Sequence, residues 1–102
     1  MGKTVAQEGH DIVTKRERKY APPIIDFTAQ AHGLRGMILA RYGVDLDITP
    51  DFIGLFMVWL KVVREAGARK RDNLVDICGY AVTIEEVIQQ LEEGSGVSST
   101  QV

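Results

Sequence analysis

The sequence predicts an all-α fold, a compact domain of four helices at about 4–14, 23–42, 50–66 and 72–93. Apolar residues recur at helical spacing through the three longer segments. Helix punctuation separates them: Pro22-Pro23, Gly43, Thr49-Pro50-Asp51 and Gly67. No stretch alternates apolar and polar residues as a half-buried strand does.

The first helix is the weakest of the four. Thr4 supplies an N-cap and Val5, Ile12 and Val13 its apolar contacts, but Gly9 sits in its middle. The segment KRERKYAPP follows, cationic at Lys15, Arg16, Arg18 and Lys19, and the prolines close it to helix. The second helix opens at Pro22 or Pro23, where a missing N–H costs nothing. Phe27, Ala31, Leu34, Ile38 and Tyr42 form its apolar face, while Ala29, Gly33, Gly36 and Ala40 form a stripe of small side chains. Each glycine costs about 1 kcal/mol against alanine in a helix, so another helix or a ligand is expected to approach the backbone there.

Gly43 stops the second helix, and Thr49-Pro50-Asp51 starts the third with a cap, a proline at the first position and an acid near the positive dipole end. Phe52, Leu55, Phe56, Trp59, Leu60 and Val63 follow helical spacing, yet Ile53, Met57, Val58 and Val62 make the other side apolar as well. A helix apolar all round is expected to be buried all round. In a chain of 102 residues that implies contact with a second subunit, so a homo-oligomer is expected. The fourth helix starts with Arg71 or Asp72 at the cap and carries Leu74, Ile77, Cys78, Ala81, Ile84, Ile88 and Leu91 as its core stripe. Its short connection to the third helix makes the two an antiparallel hairpin. Residues 1–93 form the domain, and 94–102 read as a flexible tail without a packing pattern.

Composition narrows the function classes. A net charge of −2 gives no strong case for DNA or RNA. Cys78 is the only cysteine, so neither an internal disulfide nor a cysteine metal cluster is expected. His10 and His32 are isolated from other metal-binding residues, and no Gly-rich phosphate loop or nucleophile motif is present. The first residues, MGKTVAQEGHD, lack a signal-peptide core, and the uncharged run FIGLFMVWL is far short of the roughly 20 residues that span a bilayer. A cytoplasmic protein with no membrane partner is the expectation.

The residues that carry chemistry cluster around the hairpin. Lys61 and Arg64 share one helix face and Asp72 and Asp76 share a face of the next, so cations and carboxylates meet across the connection. Two readings stand side by side. In one, partly buried ion pairs clamp the hairpin, with the basic side chains passing along Trp59 and Val63. In the other, Lys61 and Arg64 hold phosphate oxygens while Asp72 and Asp76 bind Mg²⁺ or hydroxyl groups. Arg16, Arg18 and Tyr20 form a second patch, either a solvated loop or a place to bind a phosphate and stack a base.

Three motifs, R-x-x-x-Y-x-x-P-x-x-[ND]-F, K-x-x-R and D-N-x-x-D-x-x-G-Y, fall here on Arg16, Tyr20, Pro23, Asp26 and Phe27; on Lys61 and Arg64; and on Asp72, Asn73, Asp76, Gly79 and Tyr80. Over about residues 5–90 the chain resembles a family of small all-helical phage and prophage proteins of unassigned function. It departs from that pattern at Ala21 and Pro22, usually Gly-Asp, and at Asp26, usually Asn. More remotely, DNLVDICGY is similar to the last helix of MazG-like nucleotide pyrophosphohydrolases, where an E-x-x-D pair helps bind magnesium. That resemblance implies a nucleotide or other phosphorylated small molecule as ligand, in a bacterial host's cytoplasm if phage-encoded.

An active hydrolase would need Asp72 and Asp76, with Glu65 or Asp26, to hold Mg²⁺. The earlier E-x-x-E pair is missing, its place taken by Lys61, Arg64 and Glu65, and Asn73 stands where the E-x-x-D glutamate would be. Two-metal hydrolysis needs several carboxylates. Binding is therefore expected ahead of catalysis, through Arg16, Tyr20, Lys61, Arg64, Asp72, Asn73, Asp76 and Tyr80, with a non-catalytic helical structural or interaction protein as the alternative.

Overall fold

The four expected helices form, and α4 is the one around which the others assemble. The computed structural model describes residues 2–15 and 22–95, and its helices are α1 (Val5–Lys15), α2 (Pro23–Tyr42), α3 (Pro50–Gly67) and α4 (Arg71–Ser95). Among the described residues there is no strand. α1 and α3 lie on two sides of α4, α2 packs chiefly on α3, and α1 touches neither α2 nor α3.

Local chemistry sets the ends. Thr4 Oγ1 accepts from Gln7 N at 3.1 Å while Gln7 Oε1 accepts from Thr4 N at 2.9 Å. This reciprocal capping box satisfies two donors that a helix start leaves orphaned. Gly43 closes α2 at φ 67°, donating its N–H to Leu39 O at 2.9 Å, a conformation that favours glycine. The Arg35 guanidinium then staples the following loop through both oxygens of Asp45, at 2.6 and 3.1 Å. Thr49 precedes α3 as expected but makes no side-chain cap bond, and the proline and acid behind it supply the start signal. Gly67 lies inside α3 rather than in a left-handed stop, because Ala68 ends the helix in extended backbone. α4 continues two residues past Glu93, to Ser95.

Two close crossings decide how the helices pack. A Cβ on Gly54 of α3 would lie 2.3 Å from Ile84 Cγ1 of α4, and one on Gly9 of α1 would lie 2.7 Å from Cys78 Cβ, Gly79 N and Val75 O. Glycine at each point lets the axes approach where any side chain would hold them apart. Contacts run from Gly54–Ile84 through Lys61–Asp76 to Glu65–Asn73, so α3 and α4 are antiparallel as expected. Contacts of Glu8 with Arg71, Gly9 with Val75 and Val13 with Gly79 advance together, so α1 runs parallel to α4. A guanidinium bond from Arg71 Nη2 to Lys3 O, 2.7 Å, ties the two helix starts together.

The core differs in register from the expected stripes. Phe27, Ala31, Ile53 and Val87 form its buried cluster, flanked by Ile24, Leu34, Ile48, Tyr80 and Leu91. On α4 the buried line is Asn73, Val75, Gly79, Thr83 and Val87, and Leu74 and Ala81 are exposed. A helix clasped on two sides buries the residues between its neighbours, and small or polar side chains qualify there if they are bonded. Thr83 is, donating to Gly79 O at 3.1 Å.

Within this chain α3 is covered on one side only. Ile53 and Gly54 are buried, whereas Phe52, Leu55, Phe56, Trp59, Val62 and Val63 are exposed. The small-residue stripe of α2 is also uncovered: Ala29, Gly33, Gly36 and Ala40 are exposed, and nothing lies within 4 Å of a Cβ on either glycine. No helix of this chain packs there. Beyond Leu34, α2 overhangs the core, leaving Met37, Leu39 and Tyr42 exposed.

Candidate functional site

Three helices converge on Asp76. It stands on the rim of a cleft of about 180 Å³ between α1 and α4, lined also by Ile12, Val13, Gly79, Tyr80 and Thr83. From the other side, Lys61 of α3 reaches Asp76 Oδ2 at 2.8 Å. The antiparallel hairpin produces this meeting, since residues equally distant from the connection come level. Tyr80 follows Asp76 by one turn and shares its face.

The pair is unequal in its surroundings. The Lys61 side chain is 17 % exposed and that of Asp76 39 %. The lysine side chain is mostly covered with Asp76 as its ion-pair partner, while the carboxylate keeps part of its hydration. Ion pairing of this kind is what the clamp reading expected.

Asn73 and Glu65 bond to one another across the connection. Glu65 Oε1 accepts from Lys70 N at 3.0 Å and from Asn73 Nδ2 at 3.2 Å. The Lys70 backbone N–H and then the Asn73 amide hold the Glu65 carboxyl below the usual carboxylate range, against a smaller opposing effect of desolvation. Asn73 is 8 % exposed, so its amide would be costly to leave unbonded.

The remaining expected site residues fall in two groups. Arg64 and Asp72 are exposed and make no ion pair with another described residue. Arg16 and Tyr20, with Arg18, lie outside the described residues. Structure therefore pairs Lys61 with Asp76, sets Asp76 and Tyr80 on one cleft, and leaves Arg64 and Asp72 exposed. For magnesium, the donor set is Asp72 and Asp76, and among the described residues no three His, Cys, Asp or Glu side chains converge on one point. Asp26 is exposed in the first turn of α2, and Glu65 is occupied by the connection. Two carboxylates are fewer than an ion held by protein alone needs.

Sequence reasoning missed Gly9, Thr83 and the role of Glu65. The signal for Gly9 was its helix-weakening cost in the middle of α1, which implied a close approach. Thr83 and Glu65 gave no signal, because their roles depend on which neighbour lies opposite. Among the described residues every buried side-chain nitrogen and oxygen has a partner, so the cleft presents no orphaned polar atom.

Fold and cleft together define a small all-helical domain with a narrow groove between α1 and α4. The model of the domain of unknown function DUF6378 matches residues 4–88, and the chain belongs to that family. No curated protein and no solved structure matches it. Among the described residues no helix is long and apolar enough to cross a membrane.

Proposed function

We propose that this chain binds a phosphorylated small molecule, a nucleotide being the class of first choice, at the junction of α1, α3 and α4. The observation that carries it is Asp76, which lines one cleft with Tyr80 and pairs with Lys61 of α3, while Arg64 one turn along α3 makes no ion pair with another described residue. Arg64 offers a planar donor fork to phosphate oxygens. Asp76 accepts from a ligand hydroxyl or shares a Mg²⁺ ion with the phosphates, and the Tyr80 ring lines the floor. At about 180 Å³ the cleft is smaller than the roughly 300 Å³ at which drug-sized pockets begin. It takes a phosphate with part of a sugar, and the base lies outside. The remote similarity of DNLVDICGY to MazG-like enzymes supports the nucleotide class, and the short carboxylate set supports retention over hydrolysis.

Thermal unfolding with a panel of nucleoside mono-, di- and triphosphates, with and without Mg²⁺, tests this. A ligand at a hundred times its Kd adds about 2.7 kcal/mol, and Arg64→Ala should abolish that gain while leaving the unliganded midpoint unchanged. Absence of a shift with every nucleotide sinks the reading. Pyrophosphate release on incubation would convert it to the hydrolase.

The uncovered apolar side of α3 favours a second reading, a non-catalytic helical interaction protein. The two are compatible, since the apolar face lies on α3 and the cleft lies between α1 and α4.

A further inference from the structure

We infer that the exposed side of α3 is the interface of a symmetric dimer, in which two copies of α3 cross antiparallel with Trp59 on the two-fold axis. This rests on the apolar-face reading above and not on the ligand cleft, so dimer formation and the nucleotide shift succeed or fail separately.

The face is continuous and uncharged. At 100° per residue, Phe52, Leu55, Phe56, Trp59, Val62, Val63 and Ala66 fall within about a third of the helix circumference. Every one of them is exposed. Phe56 and Trp59 already touch at the centre, with ring centroids 5.5 Å apart and planes tilted by 60°. A preformed aromatic pair at the middle of a patch is where binding energy concentrates.

The area suffices for a pair. Phe52, Phe56 and Trp59 are 45 %, 41 % and 56 % exposed. With roughly 150–250 Å² per aromatic side chain, the three rings contribute about 300 Å². Leu55, Val62 and Val63 raise the face to about 500 Å² per copy, or about 1,000 Å² when two copies meet, which is where specific interfaces begin. A patch of about 500 Å² stands in the upper part of the roughly 300–600 Å² range of a monomer's largest apolar patch, which is often functional.

The order of side chains selects the second copy and its direction. An antiparallel pair centred on Trp59 sets Phe52 opposite Ala66, Leu55 opposite Val63 and Phe56 opposite Val62. Large side chains occupy the N-terminal half of the face and small ones the C-terminal half, so this register puts large against small along the whole seam. A parallel pair would put Phe against Phe at one end and alanine against alanine at the other. An isologous contact needs such self-complementarity.

Cysteine cross-linking in a Cys78→Ala background tests both partner and register. Trp59→Cys should oxidise to a covalent dimer, because position 59 faces its own copy. Phe52→Cys should not, since it lies about 10 Å from the axis and hence about 20 Å from its copy. Cross-linking at both positions, at neither, or at position 52 alone overturns the inference. Light scattering of the full chain gives the second readout. A dimer should form at micromolar concentration, and Trp59→Glu should raise its Kd at least about thirty-fold with helicity unchanged. A monomeric wild type, or a Trp59→Glu variant as dimeric as wild type, also overturns it, and the face then serves a different protein.

Discussion

Replacing Gly9 by alanine should destabilise the protein, although alanine is the better helix former. In the mid-helix position the exchange alone would gain about 1 kcal/mol. Against this, the new methyl would sit 2.7 Å from Cys78 Cβ, Gly79 N and Val75 O. Carbon contacts are at their best near 3.5–4.0 Å, so α1 would have to withdraw by about 1 Å. Two of the three atoms are backbone of α4 and have no rotamer into which to retreat. Withdrawal would loosen the seam from the Glu8–Arg71 pair to Val13, and overpacking of this kind costs about 1–3 kcal/mol. With backbone at two of the three contacts the cost should fall in the upper part of that range, about 2–3 kcal/mol, so the net loss after the propensity gain should be about 1–2 kcal/mol. Urea unfolding followed by helicity would show it as a midpoint lower by about 1 M, given slopes of about 1–2 kcal/mol/M for small domains. Gly79→Ala is the matched control on the facing helix. Its methyl would meet Gly9 O and Val13 Cγ2 at 3.5 Å, ordinary contact, so it should be neutral or gain up to about 1 kcal/mol. If Gly9→Ala is as stable as wild type, the parallel α1–α4 crossing through glycine is wrong.

Other variants probe the remaining features. Asp76→Ala leaves the Lys61 ammonium, mostly buried, without its partner; with Asp76 itself more than a third exposed, the loss should be about 1–2 kcal/mol, less than a fully buried pair would give. A change under 0.5 kcal/mol in chemical denaturation would show the pair to be incidental. Glu65, held below its ordinary value of 4.5 in the fold, stabilises above that pH and loses its contribution as pH falls through the lower folded value. Glu65→Gln should therefore flatten the acid limb of the stability–pH curve, and an unchanged limb would count against the bonds to Lys70 and Asn73. Gly33→Ala and Gly36→Ala face open space and should each add about 1 kcal/mol to the urea stability; a loss would reveal something packed on that stripe.

Helix positions and their punctuation were legible in the sequence because they depend on local chemistry. The Thr4 capping box, the prolines that open α2 and α3 and the left-handed Gly43 each act within a few residues of themselves. The antiparallel hairpin followed from the short α3–α4 connection. With it came the meeting of Lys61 and Asp76, since spacing alone brings them level.

What the chain alone could not disclose is which apolar surface the fold uses. α3 is apolar on every side, so its pattern carries no direction. Only the crossing at Gly54 and Ile84 decides that Ile53 turns inward while Phe52, Phe56 and Trp59 turn out. The same holds for α4, where clasping by two neighbours buries Thr83 and leaves Leu74 exposed. Periodicity ranks residues by hydrophobicity, but burial depends on what lies opposite. The sequence by itself determined four helices, most of their starts and the meeting of cations and carboxylates across the hairpin. Tertiary structure alone decided that α4 is central, that α1 runs parallel to it through Gly9, and that α3 keeps an apolar face uncovered, because these turn on interhelical distances that no local pattern encodes.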